Sequence, residues 1–160
     1  MARVVCLSDT VSLVRLVREE VISGGHLLVP LPGSRLNDAL RQAVRQAAPD
    51  VVLFELTNAL DNPHLYFFLR SDQATRHIPV IFLSFRPDLD LLATALGADG
   101  YLHLPLDRSA LHHTLSTYLD IPTPGGASRI EIPRPTVQRY ASLMQRPPLM
   151  ARVAVGASAV

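Results

Sequence analysis

The sequence contains no lysine, and all 15 of its basic residues are arginine. This absence excludes every mechanism that needs a lysine as a base, as a Schiff-base partner or as a phosphate clamp. The arginines are nearly balanced by 14 acidic residues, which leaves a net charge of +1. The chain as a whole therefore lacks the basic character of a nucleic-acid-binding protein, and we do not expect direct binding to nucleic acid.

Cysteine is almost absent too. The single cysteine, Cys6, cannot form a disulfide within the chain, and its place in an apolar run predicts a small buried residue in a reducing compartment. The apolar run at the N-terminus is too short for a signal peptide. No run approaches the roughly 18 apolar residues that a membrane helix requires. We therefore expect a cytoplasmic protein that does not contact membranes.

The motifs of several enzyme classes are missing. Leu-Ser-Asp-Thr stands after the first apolar run, where a dinucleotide-binding protein would have Gly-x-Gly-x-x-Gly. Gly-x-Ser-x-Gly, the motif of α/β-hydrolases, is absent as well. The six histidines lack the spacing of metal ligands, and the adjacent pair His112 and His113 point to different helix faces. The sequence thus predicts no enzymatic activity, no metal site and no cofactor.

The stretch Pro49–Leu60 is the centre of the predicted fold. Its four consecutive apolar residues, Val51 to Phe54, run into a single acid, Glu55. An uninterrupted apolar run of this length is typical of a strand buried on both faces, in the middle of a parallel sheet. In open α/β sheets the functional crevice lies beyond the carboxyl ends of the strands, so we expect Glu55 to lie at the site.

Strand and helix patterns alternate along the chain. The predicted strands are Arg3–Leu7, His26–Val29, Val51–Glu55, His77–Ser84 and Gly100–Leu104. The predicted helices start at Val11 and end before Gly24, cover Ser34–Ala48, Pro63–Ala74 and Pro87–Leu96, and extend from an Asp107 cap through Leu119. Five such units predict an α/β fold, a doubly wound five-stranded parallel sheet of about 120 residues.

The composition changes after residue 120. Residues 1–120 carry 10 arginines and 13 acids, whereas residues 121–160 carry five arginines and one acid. The second segment is rich in proline, and Ile121 is followed at once by Pro-Thr-Pro-Gly-Gly-Ala-Ser. We therefore predict a domain over residues 1–120 and a largely disordered tail over residues 121–160. An alternative is that the tail docks on a partner or on its own domain.

Three segments resemble bacterial response-regulator receiver domains. Leu69–Ser84 is similar to their third helix and fourth strand, and Leu96–Asp107 to the region of their fifth strand. Pro49–Leu56 is similar to the strand that ends in the phosphoacceptor. The resemblance covers residues 3–120 and implies a flavodoxin-like, receiver-type (βα)5 fold.

The resemblance also implies a site of five positions. In a typical receiver, two acids after the first strand bind Mg²⁺, and an aspartate that ends the third strand accepts a phosphoryl group. A hydroxyl after the fourth strand and a lysine before a proline hold the phosphoryl oxygens. Here the acid pair aligns with Ser8 and Asp9, the phosphoacceptor with Glu55, the hydroxyl with Ser84 and the lysine with Leu104. Orthodox phosphotransfer is not expected, because one metal-binding acid, the aspartate and the lysine are all replaced.

Two interpretations of Glu55 remain open. It could be a fixed mimic of the phosphorylated state that holds Ser84 and Tyr101 by hydrogen bonding. It could instead be a solvated acid left after the chemistry was lost. For Asp9, a helix cap is favoured over a metal ligand.

The resemblance further implies a partner surface formed by the fourth helix, the fifth strand and the fifth helix. On this chain it would use Leu89, Leu92, Tyr101 and His103, together with Pro105, which matches a proline usually preceded by a cis peptide. We therefore predict a pseudo-receiver that signals or acts as a scaffold, through a protein partner or a homodimer. The alternatives are a small-molecule sensor that uses the altered crevice and a transcriptional regulator that uses the basic tail.

Overall fold

The computed structural model describes residues 1–119, which form a single five-stranded sheet flanked by helices on both faces. The strands are β1 (Arg3–Leu7), β2 (Leu27–Leu31), β3 (Val51–Glu55), β4 (Val80–Ser84) and β5 (Gly100–His103). The helices are α1 (Val11–Ser23), α2 (Asp38–Ala47), α3 (Asn62–Ser71), α4 (Leu89–Leu96) and α5 (Arg108–Leu119). The predicted tail lies outside the described residues.

All strand pairs are parallel, in the order β2-β1-β3-β4-β5. Every residue of β3 and β4 is buried, which explains why these strands are continuous apolar runs in the sequence. β2 and β5 are the edge strands and have partly exposed residues. The predicted α/β fold with a five-stranded parallel sheet is confirmed.

The core has two layers, one on each face of the sheet. Alternate residues of β1 divide between them: Val5 and Leu7 pack with α2, α3 and α4, whereas Val4 and Cys6 pack with α1 and α5. This division follows from the two-residue period of a strand. Apolar side chains fill both faces of the sheet. Polar side chains can therefore come together only beyond the strand ends, as they do at the carboxyl edge.

Several predicted boundaries move. Helix α2 begins at Asp38 rather than at Ser34, because the Asn37 side chain accepts the Leu40 N–H at 2.8 Å and caps the helix there. Helix α3 ends at Ser71 rather than Ala74, and β4 begins at Val80 rather than at His77. β2 continues through Pro30 to Leu31, beyond its predicted end. Proline is tolerated there because β2 is an edge strand.

The capping role predicted for Asp9 was wrong. Thr10 is the N-cap residue of α1, and no side chain caps that end of the helix by a hydrogen bond. Asp9 is exposed in the loop between β1 and α1. The cap predicted for α5 is confirmed, because Asp107 Oδ2 accepts the Ala110 N–H at 2.8 Å.

Candidate functional site

Glu55 is buried at the carboxyl edge of the sheet and is held by two hydroxyl groups. β1 and β3 are neighbours in register, with Leu7 opposite Phe54, so the loop after β1 lies beside the end of β3. The Ser8 hydroxyl donates a hydrogen bond to Glu55 Oε2, and the Thr10 hydroxyl donates one to Oε1 at 3.0 Å. Glu55 is 6% exposed, so it is not the solvated strand-end acid of one sequence-based interpretation.

Ser8 links this carboxylate to the start of α1. Its oxygen accepts the Thr10 N–H at 3.0 Å while its hydroxyl hydrogen is directed to Glu55. Such a local bond from a backbone N–H to a serine oxygen fixes the loop conformation. An aspartate at this position could not donate to Glu55, and two ionised acids would repel each other. With Ser8 in the position where typical receivers have an acid, the buried Glu55 gains a hydrogen-bond donor in place of a like charge.

Asn62 fixes the backbone behind Glu55. Its side chain is fully buried, and its amide donates to Glu55 O at 2.8 Å and to Gly33 O at 2.7 Å. Its side-chain oxygen accepts the Thr57 N–H at 2.9 Å. One side chain thus ties together the loops after β2 and β3. The loop after β2 also lies close to the end of β1. A Cβ added to Gly33 would be 3.0 Å from Leu7 O, so a glycine suits this contact between the two backbones.

Ser84 and Leu104 lie at this edge too, but Glu55 does not bind Ser84. Ser84 is 2% exposed, and its hydroxyl oxygen accepts the Arg86 N–H at 3.1 Å, which is a local turn contact. Leu104 is buried in the apolar layer under α1 and α5. The Leu104–Pro105 peptide is cis, as the resemblance implied. The position of the family's lysine therefore belongs to the hydrophobic core.

The side chains at this edge do not fit a magnesium ion. Octahedral Mg²⁺ is usually held by carboxylates that keep their oxygens free for the metal and its waters. Here both oxygens of Glu55 accept hydroxyl hydrogens, Ser8 replaces one acid, and only the exposed Asp9 remains. Within residues 1–119 no group of three or more His, Cys, Asp or Glu side chains could hold a metal ion.

The predicted switch and partner residues are only partly at the surface. Tyr101 is 42% exposed and packs edge-on against His103, with ring centroids 5.7 Å apart. His103 and Pro105 are exposed, and Leu92 is half-buried. Leu89 is fully buried in the core, so its assignment to a surface was wrong. The exposed leucine of α4 is Leu91, whereas Leu89, the first residue of the helix, is directed into the core.

Cys6 lies in β1 below the Glu55 site. It is fully buried, as the sequence predicted. Burial raises the pKa of the Cys6 thiol to about 12, and the negative charge of Glu55 adds to this effect. The thiol is therefore an inert core group and takes no part in chemistry.

Sequence reasoning missed two residues of the site, Thr10 and Asn62. A signal for Thr10 was present: it follows β1 closely, and loops that follow neighbouring parallel strands meet at one edge of the sheet. Asn62 had a weaker signal, a polar residue directly before the Pro63 that begins the predicted third helix. Only the folded chain shows that Asn62 is buried.

Comparisons with known proteins agree with this architecture. No family model matches the sequence, and no curated protein is significantly similar to it. Many solved structures are similar. A response regulator receiver protein from Burkholderia phymatum is 26% identical, with a TM-score of 0.63, over 78% of this chain and 100% of that chain.

Two further structures give the same result. The chemotaxis response regulator CheY4 of Vibrio cholerae is 23% identical, with a TM-score of 0.62, over 74% of this chain and 99% of that chain. The receiver domain of a sensor histidine kinase of Pseudomonas aeruginosa is 18% identical, with a TM-score of 0.60, over 73% and 96% of the two chains. That domain has a magnesium ion coordinated in its active-site cleft. Residues 1–119 thus have the fold of a response-regulator receiver domain.

Proposed function

We propose that this protein is a signalling or scaffolding module that works through protein–protein contacts and independently of phosphorylation. The observation that carries the proposal is the buried Glu55 carboxylate, whose two oxygens are already engaged by the Ser8 and Thr10 hydroxyls. A phosphoacceptor must present a free carboxylate oxygen in line with the phosphoryl donor. To do so, at least one Glu55 oxygen would have to give up the hydroxyl hydrogen bond that it accepts and become accessible to the donor from a buried position.

The charge balance of the site supports the same proposal. Phosphoryl transfer concentrates negative charge, and enzymes offset it with a metal ion and a cation. Here Leu104 lies in the lysine position, and the donor set around Glu55 does not fit Mg²⁺. A phosphoryl group at this edge would therefore lie beside the apolar Leu104 where typical receivers have a lysine, and near the negative charge of Asp9.

Glu55 supports a fixed arrangement rather than a switch. It joins the loop after β1 to the end of β3, and its own carbonyl is tied by Asn62 to the loop after β2. Its carboxylate contacts Ser8 and Thr10, not the Ser84 and Tyr101 pair that the mimic hypothesis required. We propose that Glu55 holds one conformation of the carboxyl edge permanently.

The partner surface that we propose is formed by α4, β5 and the start of α5. Leu91 is 71% exposed and Tyr101 is 42% exposed, and exposed apolar side chains on adjacent elements favour a protein partner or a second copy of the chain. His103 and Pro105 extend this surface. We name it the α4–β5 face.

Phosphorylation independence is tested with the full chain, acetyl phosphate or beryllofluoride, and Mg²⁺. We expect an unchanged intact mass and unchanged amide chemical shifts for Glu55, Ser84 and Tyr101. Glu55→Asp, which restores the family's residue, is a matched comparison, and it should also stay unmodified because the lysine is missing. A phosphorylated species of the wild-type chain, or saturable shifts around Glu55, would refute the proposal.

The α4–β5 face is tested by comparing complexes of wild-type protein with those of a Leu91→Asp/Tyr101→Ser variant. We expect self-association in sedimentation, or a defined captured protein, to be lost in this variant. Ile22→Asp on α1 is the matched control, since Ile22 is 59% exposed and lies on another helix. If the α1 variant loses the complex while the α4–β5 variant keeps it, the proposed face is wrong.

A further inference from the structure

A groove beside the Glu55 site, with which it shares Ser8, lies between α1 and the edge strand β2. Its volume is about 420 Å³, and most of the side chains that line it are exposed to solvent. One wall is a stripe of α1 in which Val11, Val14, Arg15 and Arg18 follow the spacing of a single helix face. The opposite wall is the sequence Pro30-Leu31-Pro32.

The two arginines of this groove have no ion-pair or hydrogen-bond partner within residues 1–119. Most other arginines in the described part of the chain do pair with a carboxylate: Arg41, Arg45, Arg70, Arg86 and Arg108. Arg15 and Arg18 are three residues apart, so their guanidinium groups emerge from the same side of α1. The groove therefore combines an apolar surface with two arginines that form no ion pair with an acid of the described residues.

The β2 wall excludes an added strand as the occupant. Leu27 N–H donates to Ala2 O and Leu31 O accepts the Ser8 N–H, so alternate residues of β2 are directed to β1. Pro30 and Pro32 take the intervening, outward-directed positions, where a further strand would need an N–H donor. Proline has none, and such edges resist pairing with another chain. An occupant of the groove must therefore bind through side-chain contacts and not through backbone pairing.

We propose that this groove binds a small organic anion with an apolar body. The body packs against Val11, Val14 and the proline-flanked Leu31, and the acidic group is held by Arg15 and Arg18. Arginine suits this role because its planar guanidinium group forms paired hydrogen bonds with carboxylates and phosphates. The site is independent of the α4–β5 face, and its failure would leave the proposed function untouched.

Asp9 gives the groove a direction. It lines the end near the start of α1, where its negative charge repels an anion, whereas Arg15 and Arg18 are further along the helix. We therefore expect the acidic group of the ligand to lie toward Arg18 and its apolar body toward Val11. Ser8 lines the same end and donates to Glu55, so the groove reaches the carboxyl edge of the sheet without using Glu55 itself.

The test is a titration of the isotope-labelled full chain with octanoate below its micelle concentration, followed by amide chemical shifts. Octan-1-ol has the apolar body without the charge, and acetate has the charge without the body. We expect saturable shifts at Val11, Arg15, Arg18 and Leu31 with octanoate, and at least about fivefold weaker binding of the alcohol. This ratio corresponds to two partly exposed ion pairs. Acetate should not saturate.

Variants decide the role of the arginines. Arg15→Gln/Arg18→Gln should weaken octanoate binding about tenfold, and Asp9→Asn should strengthen it. Arg76→Gln is the matched control, because Arg76 is exposed at the other edge of the sheet, in the loop before β4. A native-like spectrum is required of each variant, so that a loss of binding cannot be a loss of folding. Equal binding of octanoate and octan-1-ol, an unaffected double variant or an absence of saturable shifts would each overturn the proposal.

Discussion

Two acids at opposite edges of the same sheet are held in different ways. Glu55, at the carboxyl edge, is bound by two neutral hydroxyl groups. Asp99, at the amino edge before β5, is bound by a cation: Arg70 Nη2 donates to Asp99 Oδ2 at 2.7 Å, and the Val80 N–H donates to the same oxygen at 2.8 Å. The amino edge has a matched ion pair. At the carboxyl edge, where receiver domains have their reaction site, Glu55 is held by hydroxyl groups and not by a cation.

The Arg70 guanidinium is fully used for structure. Besides Asp99 it donates to the carbonyls of Ile78 and Gly97 and to the Tyr66 hydroxyl, whose ring it also covers at 5.4 Å from the centroid. Burial alone would lower the pKa of Arg70, but Tyr66 and Asp99 outweigh it and leave the pKa raised. Arg70 therefore remains charged.

The largest expected effect is at the Arg70–Asp99 pair. Arg70→Ala removes the donor to two part-buried carbonyls and leaves Asp99 without a counter-charge, so we expect a loss of about 3 kcal/mol in the free energy of unfolding. Asp99→Asn should cost less, because its amide oxygen can still accept the Val80 N–H. Urea unfolding of both variants and of the double variant measures their coupling. Additive losses would show that the ion pair itself contributes nothing.

A smaller effect is expected at Glu55. Glu55→Ala leaves a cavity and two hydroxyl groups without an acceptor, and we expect it to destabilise the fold by about 2 kcal/mol. Glu55→Gln keeps the shape and one good acceptor, and the hydroxyls can rotate, so a loss under about 1 kcal/mol is expected. Thermal unfolding separates the two variants. If Gln is as damaging as Ala, the charge of Glu55 matters more than its hydrogen bonds.

The comparison also shows how far the sequence determines the fold. The runs Val51–Glu55 and Val80–Ser84 predict their strands because burial on both faces requires continuous apolar residues. Asp107 predicts its helix start because the capping contact is local. These features depend on neighbours in the sequence, so the sequence reveals them.

The candidate site is less predictable. Its five positions come from the resemblance, and the structure places Ser8, Glu55, Ser84 and Leu104 at one edge of the sheet. The partners of Glu55 depend on which hydroxyl its longer side chain reaches across 45 or more residues of sequence. The Arg70–Asp99 contact spans 29 residues and has no local signal either. Such choices are set by side-chain packing in three dimensions, which a pattern of apolar residues does not encode.

Removing single hydroxyl groups sharpens the description of the Glu55 site. Thr10→Val keeps the shape and deletes one donor to Glu55, and we expect a loss of about 1 kcal/mol in the free energy of unfolding. Ser8→Ala deletes the other donor and an acceptor for the Thr10 N–H, so its loss should be somewhat larger. Thr117→Val on α5 is the control, since its hydroxyl bonds only to its own helix. If the two variants lose no more free energy of unfolding than the control, the hydrogen bonds to Glu55 do not stabilise the fold.

The rate at which Cys6 is alkylated compares the effects of substitutions at the two edges of the sheet. Its thiol pKa is raised to about 12, first by burial and then by Glu55, so only unfolded molecules should react with iodoacetamide at pH 8. Arg70→Ala should therefore accelerate alkylation strongly, and Glu55→Gln only slightly. The raised pKa also contributes stability that is complete below the unfolded thiol's pKa, near 9.0, and is lost as the pH rises toward 12. Rapid alkylation of folded wild-type protein would contradict the burial of Cys6.

The smallest effect is expected at a surface counterpart of the Arg70–Asp99 pair. Arg45 donates to Asp72, but its side chain is 46% exposed, so water already screens the pair. Hydrogen bonding from Arg45 lowers the pKa of Asp72. The stabilisation is therefore present above the ordinary carboxyl pKa near 4 and is lost as the pH falls through the lowered value. Arg45→Ala should shift the unfolding midpoint slightly at pH 7, and the shift should become smaller as the pH falls and Asp72 is protonated. If Arg45→Ala destabilised the fold at pH 7 as much as Arg70→Ala does, burial would not be what distinguishes the two ion pairs. The larger contribution expected of Arg70–Asp99 would then need another cause.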